Sequence, residues 1–114
     1  MSRSKLMKGI HLRVYTYENS RHEGKPLYEW LLHKAMESGI PGGSVFRALA
    51  GFGRHGTLRE ERFFELAGTE PVLVEFVAPR AQIEAFLDLL RQQDVQVFYA
   101  MIEAEFGILG GDAG

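Results

Sequence analysis

The chain has 114 residues, 46% of them hydrophobic and 25% charged, which indicates one globular domain with a single core rather than two domains. The formal net charge of −2 excludes the broad basic surface by which many proteins bind nucleic acid, and the absence of cysteine excludes disulfides and thiolate chemistry. No apolar run approaches the roughly 20 residues of a membrane helix, and no signal-peptide pattern follows the basic start, so we expect a cytoplasmic protein that is not embedded in a membrane.

The first half of the chain predicts a strand, a helix and a second strand. Residues 10–14 alternate between apolar and polar side chains, which is the period of a strand, and the polar residues 18–24 that follow indicate a loop. Between Pro26 and Gly39, leucine and alanine recur at helical spacing, and a glycine at that position is typical of a helix end. The apolar run 44–50 then predicts a buried strand.

The second half predicts a strand, a helix and a final strand. Residues 72–78 form an apolar strand after the turn-like segment 68–71. Pro79 then begins a helix with apolar residues at i, i+3, i+4 and i+7. These apolar residues are Ile83, Phe86, Leu87 and Leu90. The last predicted strand covers residues 95–105.

This order of elements, β-α-β-β-α-β, is the ferredoxin-like arrangement, an α+β fold. Because each crossover is right-handed, both helices cover the same face of a four-stranded antiparallel sheet. We expect a single domain over residues 1–114, with a core at about residues 8–105 and flexible termini.

The face of the predicted sheet that the helices leave open is apolar. Tyr15 and Tyr17 lie off the core phase of the first strand, and neither phase of residues 97–102 is polar. A large exposed apolar patch usually marks an interface, since burying each large side chain contributes roughly 1.5–3 kcal/mol. We therefore predict a homo-oligomer closed through this face. The alternative is a monomer whose sheet is covered by residues 57–70 or by the tail.

The most distinctive local motif is the glycine-rich segment 51–56. Glycine allows close approach of a ligand to the backbone, and Arg54 and His55 add donors, so the segment has the make-up of an anion-binding corner. It also matches G-x-G-x-x-G, but a dinucleotide site needs a parallel βαβ unit with an acid about 20 residues on, whereas Glu75 lies mid-strand. A glycine-hinged loop at a strand end, with Arg62 within reach of phosphate, and a plain turn with solvated charges are both left open.

The other polar residues carry no catalytic or metal signature. The four histidines lack the spacing of a ligand pair, and no carboxylate pair or nucleophile stands in an activating context, so we predict no catalytic residue and no metal site. Lys25 precedes the predicted helix, where a cation beside free N–H groups suits an anion, although a solvated loop lysine is the simpler interpretation.

Four motifs together resemble the domain of unknown function 190 family. They are GKPLYE at 24–29, GIPGGSVFR at 39–47, AGFG at 50–53 and EPVLVE at 70–75. The resemblance covers about residues 8–105, and the first and third motifs are fairly specific when they occur together at this spacing. That family is PII-like, which means that it is similar in fold to the nitrogen-regulatory PII signalling proteins.

The resemblance implies a homotrimer with a flexible loop at about residues 54–62 that contacts a target such as a transporter or an enzyme. In PII proteins, adenine nucleotides bind between subunits at the base of this loop. Where PII proteins carry a G-D-G-K-type phosphate loop, this chain has Gln92-Gln93-Asp94. Together with the residues singled out above, the candidate ligand-binding residues are Lys25, Arg47, Gly51, Phe52, Gly53, Arg54, His55 and Arg62.

The main hypothesis is a non-enzymatic, trimeric PII-like sensor of a small anion, with ATP, ADP and AMP as candidates, whose 54–62 loop becomes ordered on binding. The first alternative is a small enzyme on a dimeric ferredoxin-like scaffold, with His11, Arg13 and Glu75 as its polar groups. The second alternative is a structural adaptor that binds no ligand.

Overall fold

The computed structural model describes residues 6–51 and 70–110, and these form six strands and two helices. In chain order the elements are β1 (Met7–Tyr17), β2 (Arg21–His22), β3 (Lys25–Pro26), α1 (Leu27–Glu37), β4 (Gly43–Arg47), β5 (Pro71–Ala78), α2 (Arg80–Gln92) and β6 (Phe98–Phe106).

The four long strands form one sheet in the order β4-β5-β1-β6, and every neighbouring pair is antiparallel. Val14 of β1 lies opposite Val74 of β5 and Tyr99 of β6, and Val45 of β4 lies opposite Val74 on the other side. The two strands that flank each helix are therefore separated by a third strand, as in the split βαβ arrangement. The predicted α+β, ferredoxin-like fold is confirmed.

The core lies between the two helices and one face of this sheet. Along β1 and β5 every second residue is buried, which places the alternate residues on the opposite face. The four apolar positions predicted on the second helix, from Ile83 to Leu90, are all buried. Phe86 packs edge-on against Phe76 of β5 with ring centroids 5.3 Å apart, so α2 is fixed to the centre of the sheet.

Both helices end in the same hydrogen-bonded motif. After α1, the N–H of Ile40 donates to the carbonyl of Ala35 at 3.0 Å, with Gly39 at φ +88° between them. After α2, the N–H of Val95 donates to Leu90 at 3.0 Å, with Asp94 at φ +59°. These are Schellman motifs, in which a residue in the left-handed region lets the chain turn back and bond the last carbonyls.

Two strand boundaries differ from the sequence expectation. The predicted strand 44–50 ends at Arg47, because β5 begins at Pro71 and the last cross-strand bond joins the N–H of Ala48 to the Pro71 carbonyl at 2.8 Å. The described residues beyond that bond, 49–51, belong to no strand, and Leu49 is 96% exposed. The last strand begins at Phe98 rather than at residue 95, because Val95 belongs to the Schellman motif that ends α2.

The predicted loop 18–24 contains part of a short hairpin, β2–β3, in which His22 pairs with Lys25. Its two turn residues, Glu23 and Gly24, have φ angles of +53° and +79°. Positive φ at both central positions defines the type I′ turn, whose twist matches that of a two-residue hairpin. The sequence signal was present as a Glu-Gly pair, which is weaker than Asn-Gly.

The sheet face opposite the helices carries a band of large apolar side chains and is called the open face below. Its exposed large residues are Met7, Tyr15, Tyr17, Phe46, Phe98 and Ile102. The predicted apolar character of this face is confirmed for the described residues. Of the covering segments of the monomeric alternative, residues 57–69 lie outside the described part of the chain. The tail is described only as far as residue 110, where Ile108 and Leu109 are exposed.

Candidate functional site

The connection between β4 and β5 leaves and rejoins the sheet at one end, which is called the loop end below. Gly51 is the last described residue on the β4 side, and Glu70 is the first on the β5 side. The N–H of Glu18, just after β1, donates to the Glu70 carbonyl at 2.9 Å. The ends of β1, β4 and β5 are thus tied together by backbone bonds at the base of the connection.

Arg47 places its guanidinium at this base. The side chain belongs to the last residue of β4 and is 63% exposed, and its Nη2 donates a hydrogen bond to Oε2 of Glu18. This bond and the charge of Glu18 raise the pKa of Arg47 above its ordinary value, and Glu70 and Tyr28 add to the effect. Arg47 is therefore a fixed cation within an acidic neighbourhood.

Lys25 lies at the same end of the domain but on a different element. It is an exposed residue of β3, immediately before the first turn of α1, and no side-chain cap serves that helix end. The N–H of Leu27 donates to the carbonyl of Ser20 at 2.7 Å, which fixes the hairpin against the helix start. The structure brings Lys25 and Arg47 to one end of the sheet without a direct contact between them among the described interactions.

Gly51 is exposed, and a Cβ built on it would meet no atom within 4 Å in the described structure. The remaining predicted ligand residues lie outside the described residues, so their expected roles stay predictions. These residues are Phe52, Gly53, Arg54, His55 and Arg62. The dinucleotide interpretation of this segment is wrong, because β4 and β5 are antiparallel neighbours and form no parallel βαβ unit.

The polar residues of the open face form a second candidate cluster. Nε2 of His11 lies 2.7 Å from Oε1 of Glu75, and both side chains are about three-quarters buried. Nε of Arg13 donates to the Tyr15 hydroxyl at 2.9 Å. The His11–Glu75 pair gives the open face a hydrogen-bonded polar centre surrounded by aromatic and aliphatic side chains.

A shallow groove of about 480 Å³ lies at the end of the sheet opposite the loop end. Its charged lining residues are Lys8, Arg80, Glu103 and Glu105. Arg80 contacts Glu103 at 3.4 Å, and Lys8 lies opposite Glu105 in the strand register, so cations and carboxylates balance one another. The groove therefore presents no net charge to attract an anion.

Two further absences concern only residues 6–51 and 70–110. Within these ranges no three histidine or acidic side chains are grouped so that they could hold a metal ion. Neither of the two described helices has the length and apolar character that a membrane span needs.

Sequence reasoning missed Glu18, whose carboxylate accepts a hydrogen bond from Arg47 and raises its pKa. Glu18 follows the end of β1 and Arg47 ends β4, 29 positions further along the chain, so no spacing rule connects them. The one available signal was position, because an acid directly after a strand lies at the sheet end where its neighbours' loops meet.

The comparison with known sequences gives a family and a relative. The domain of unknown function 190 family (DUF190, described as Uncharacterized ACR) matches residues 9–104. A UPF0166 protein from Aquifex aeolicus is 37% identical in an alignment 103 residues long that covers 83% of this chain and 98% of that protein. The resemblance seen in the motifs is confirmed.

The comparison with solved structures gives a fold. The apo form of CPII from Thiomonas intermedia K12, a nitrogen regulatory PII-like protein, matches with a TM-score of 0.59 at 12% identity, over 92% of this chain and 98% of that chain. The structure of CPII bound to ADP, AMP and bicarbonate matches with a TM-score of 0.57 at 13% identity, over 95% of this chain and 100% of that chain. The fold of the present chain is therefore PII-like.

Proposed function

The chain belongs to the domain of unknown function 190 family and has a PII-like fold, and from this premise we propose that it is a non-enzymatic regulatory protein that senses a small anion. The observation that carries the proposal is the position of Arg47, which projects at the base of the β4–β5 connection of this fold. An arginine there can hold a phosphate by two parallel N–H···O bonds.

The proposed ligand is an adenine nucleotide. Support comes from the solved CPII structure, which contains ADP, AMP and bicarbonate and shares this fold. In this chain Arg47 and Lys25 supply positive charge from the described residues, and Gly51 leaves the backbone accessible. Residues 52–55 and Arg62 are proposed to complete the site, because the sequence offers glycine amides and basic side chains there.

The proposed assembly is a homotrimer that buries the open face. The exposed aromatic and aliphatic side chains on that face support it, since apolar area removed from water contributes roughly 25 cal/mol per Å². The ligand cleft is then formed between subunits, with Arg47 on one side. The proposed output is a contact between residues 54–62 and a partner protein, such as a transporter or an enzyme, that changes when ligand binds.

Isothermal titration of the purified protein with ATP, ADP and AMP tests the ligand. We expect saturable heat with at least one nucleotide and weaker binding to the variant Arg47→Gln. The matched control is Arg91→Gln, which removes an equally exposed arginine of α2. If none of the three nucleotides gives heat at millimolar concentration, the nucleotide proposal is wrong, and the ligand-free adaptor becomes the better hypothesis.

One observation favours a second candidate, the small enzyme. His11 and Glu75 form the hydrogen-bonded pair that such an enzyme needs to hold an imidazole in one orientation. If the open face is a pocket rather than an interface, light scattering finds two protomers or one, and the pair stays accessible to solvent. Three protomers that bury the open face favour the sensor.

A further inference from the structure

Arg47, the cation on which the proposed ligand site depends, is already occupied by an anion of the same chain. Its Nη2 donates to the Glu18 carboxylate, and Glu18 is the more buried member of the pair, with 27% of its side chain exposed against 63%. A carboxylate and a phosphate use the same planar donor geometry of a guanidinium. A ligand phosphate that bonds Nη2 of Arg47 must therefore take the position that Glu18 holds.

The surroundings of the pair work against an incoming anion. Glu18 contacts Arg47, and the charges of Glu18 and Glu70 both raise the pKa of Arg47, so the base of the connection has an acidic character. The position of Glu18 is set by its backbone, because its N–H is bonded to the Glu70 carbonyl at 2.9 Å. The fold thus holds the backbone of residue 18 at the loop end, where the glutamate side chain bonds Arg47.

We propose that Glu18 is an internal competitor, a carboxylate that occupies Arg47 in the ligand-free protein and is displaced when a phosphate group binds. This inference rests on the proposed function, because it assumes that a phosphate-bearing ligand binds at the loop end. It adds a residue that regulates the site and a contact that must break on binding.

Displacement has a structural consequence at the base of the connection. Glu18 joins β1 to the start of β5 through its backbone and to the end of β4 through its side chain. When a phosphate takes Arg47, the side-chain link from β1 to β4 is lost, while the backbone link from Glu18 to Glu70 persists. Ligand binding therefore exchanges a contact within the protein for a contact with the ligand at the root of residues 52–69.

The test uses ADP with four purified proteins. These are the wild type, Glu18→Gln, Glu18→Asp and the control Glu84→Gln. The glutamine variant removes the charge but retains the backbone N–H of residue 18, and the aspartate variant keeps the charge but shortens its reach. Glu84 is a matched control, since it is an exposed glutamate that contacts Arg80 at 3.4 Å on α2.

We expect Glu18→Gln to bind ADP about two- to fivefold more tightly than the wild type, because an exposed ion pair contributes only a small opposing free energy. The affinity of Glu18→Asp for ADP should lie between those of the wild type and Glu18→Gln, and Glu84→Gln should bind ADP as the wild type does. The Nε–H resonance of Arg47 should differ between the wild type and Glu18→Gln without ligand and should coincide when both are saturated with ADP.

Two outcomes separate this inference from the proposed function. If ADP binds the wild type but Glu18→Gln does not bind more tightly, or the Arg47 resonance does not move on saturation, Glu18 is no competitor and the nucleotide proposal stands. If ADP binds none of the four proteins, the nucleotide proposal itself fails, and the competitor fails with it.

Discussion

Gly9 lies where the strands of the sheet approach one another too closely for a side chain. A Cβ built on Gly9 would lie 2.3 Å from the carbonyl oxygen of Ala78 and 2.8 Å from the ring of Phe106. The first of these atoms belongs to the backbone of β5, so it cannot rotate away. The glycine is required by close approach of the strands rather than by a positive φ angle.

We therefore expect Gly9→Ala to lower the free energy of unfolding by about 1–3 kcal/mol, as overpacking does. Urea denaturation at a fixed protein concentration measures this, since assembly makes stability depend on concentration. Gly42→Ala is the control, because nothing lies within 4 Å of a Cβ there, and it should be neutral or slightly stabilising. Equal stability of the two variants would contradict the close contact at Gly9.

The two helices end in the same motif but with different residues in the left-handed position. α1 ends with Gly39 in the left-handed region, and α2 ends with Asp94 there. A residue with a side chain has a higher energy at positive φ than glycine, whereas aspartate tolerates it better than most. The α2–β6 connection is thus a tight helix end in this chain.

Asp94→Gly should raise the free energy of unfolding by up to about 1 kcal/mol, because glycine removes the steric cost of the left-handed conformation. Thermal unfolding monitored by circular dichroism is the measurement. Asp88→Gly, in the middle of α2, should act in the opposite direction by about 0.5–1 kcal/mol, since glycine weakens a helix interior. A destabilised Asp94→Gly would show that the aspartate side chain has a role beyond the turn.

The β2–β3 hairpin depends on its two positive φ angles and packs against the single tryptophan of the chain. The His22 ring lies 4.3 Å from that of Trp30, and Trp30 is buried. The hairpin therefore shields the indole at the start of α1, so that the state of the turn can be followed by fluorescence.

Gly24→Ala should loosen the hairpin at a cost of about 1 kcal/mol, because alanine is unfavourable at φ +79°. Acrylamide should then quench Trp30 more readily, while Glu23→Asn should reduce quenching, since Asn-Gly is the favoured type I′ pair. An unchanged quenching constant in Gly24→Ala would mean that the turn does not control access to the indole.

At the scale of the whole molecule, the open face leaves a band of large apolar side chains exposed in a single protomer. Its exposed side chains come from β1, β4 and β6, so the band crosses the full width of the sheet. The His11–Glu75 pair lies within it. Burial of this face between protomers places a satisfied polar pair inside an apolar interface, which is compatible with a stable assembly because the hydrogen bond is retained.

We expect the wild type to sediment as a trimer and Ile102→Glu to sediment as a smaller species. Ile102 is 46% exposed in the protomer, so a charge there should leave the protomer folded but is costly to bury in an interface. Met36→Glu is the control, since Met36 is 67% exposed on α1, away from the open face. A wild type that sediments as a monomer would refute the assembly.

Much of the fold could be predicted from the sequence, but less of the site. The phase of β1 and the buried face of α2 follow from local periodicity, and both are confirmed. The predicted buried residues are buried, namely Ile10, Leu12 and Val14 in β1 and Ile83, Phe86, Leu87 and Leu90 in α2. The predicted length of β4 was wrong, because an apolar run in the sequence does not show where the partner strand begins. Of the eight candidate site residues, only Lys25, Arg47 and Gly51 lie in the described structure.

The sequence by itself determined the order of the main elements, the buried sides of β1 and α2, and the family, because periodicity and motifs are properties of neighbouring residues. Only the tertiary structure decided the contacts between distant residues. Arg47 meets Glu18 across 29 positions, and His11 meets Glu75 across 64. Such pairs form because antiparallel strands bring the ends of remote segments together, and no local pattern encodes which charged residue will lie opposite.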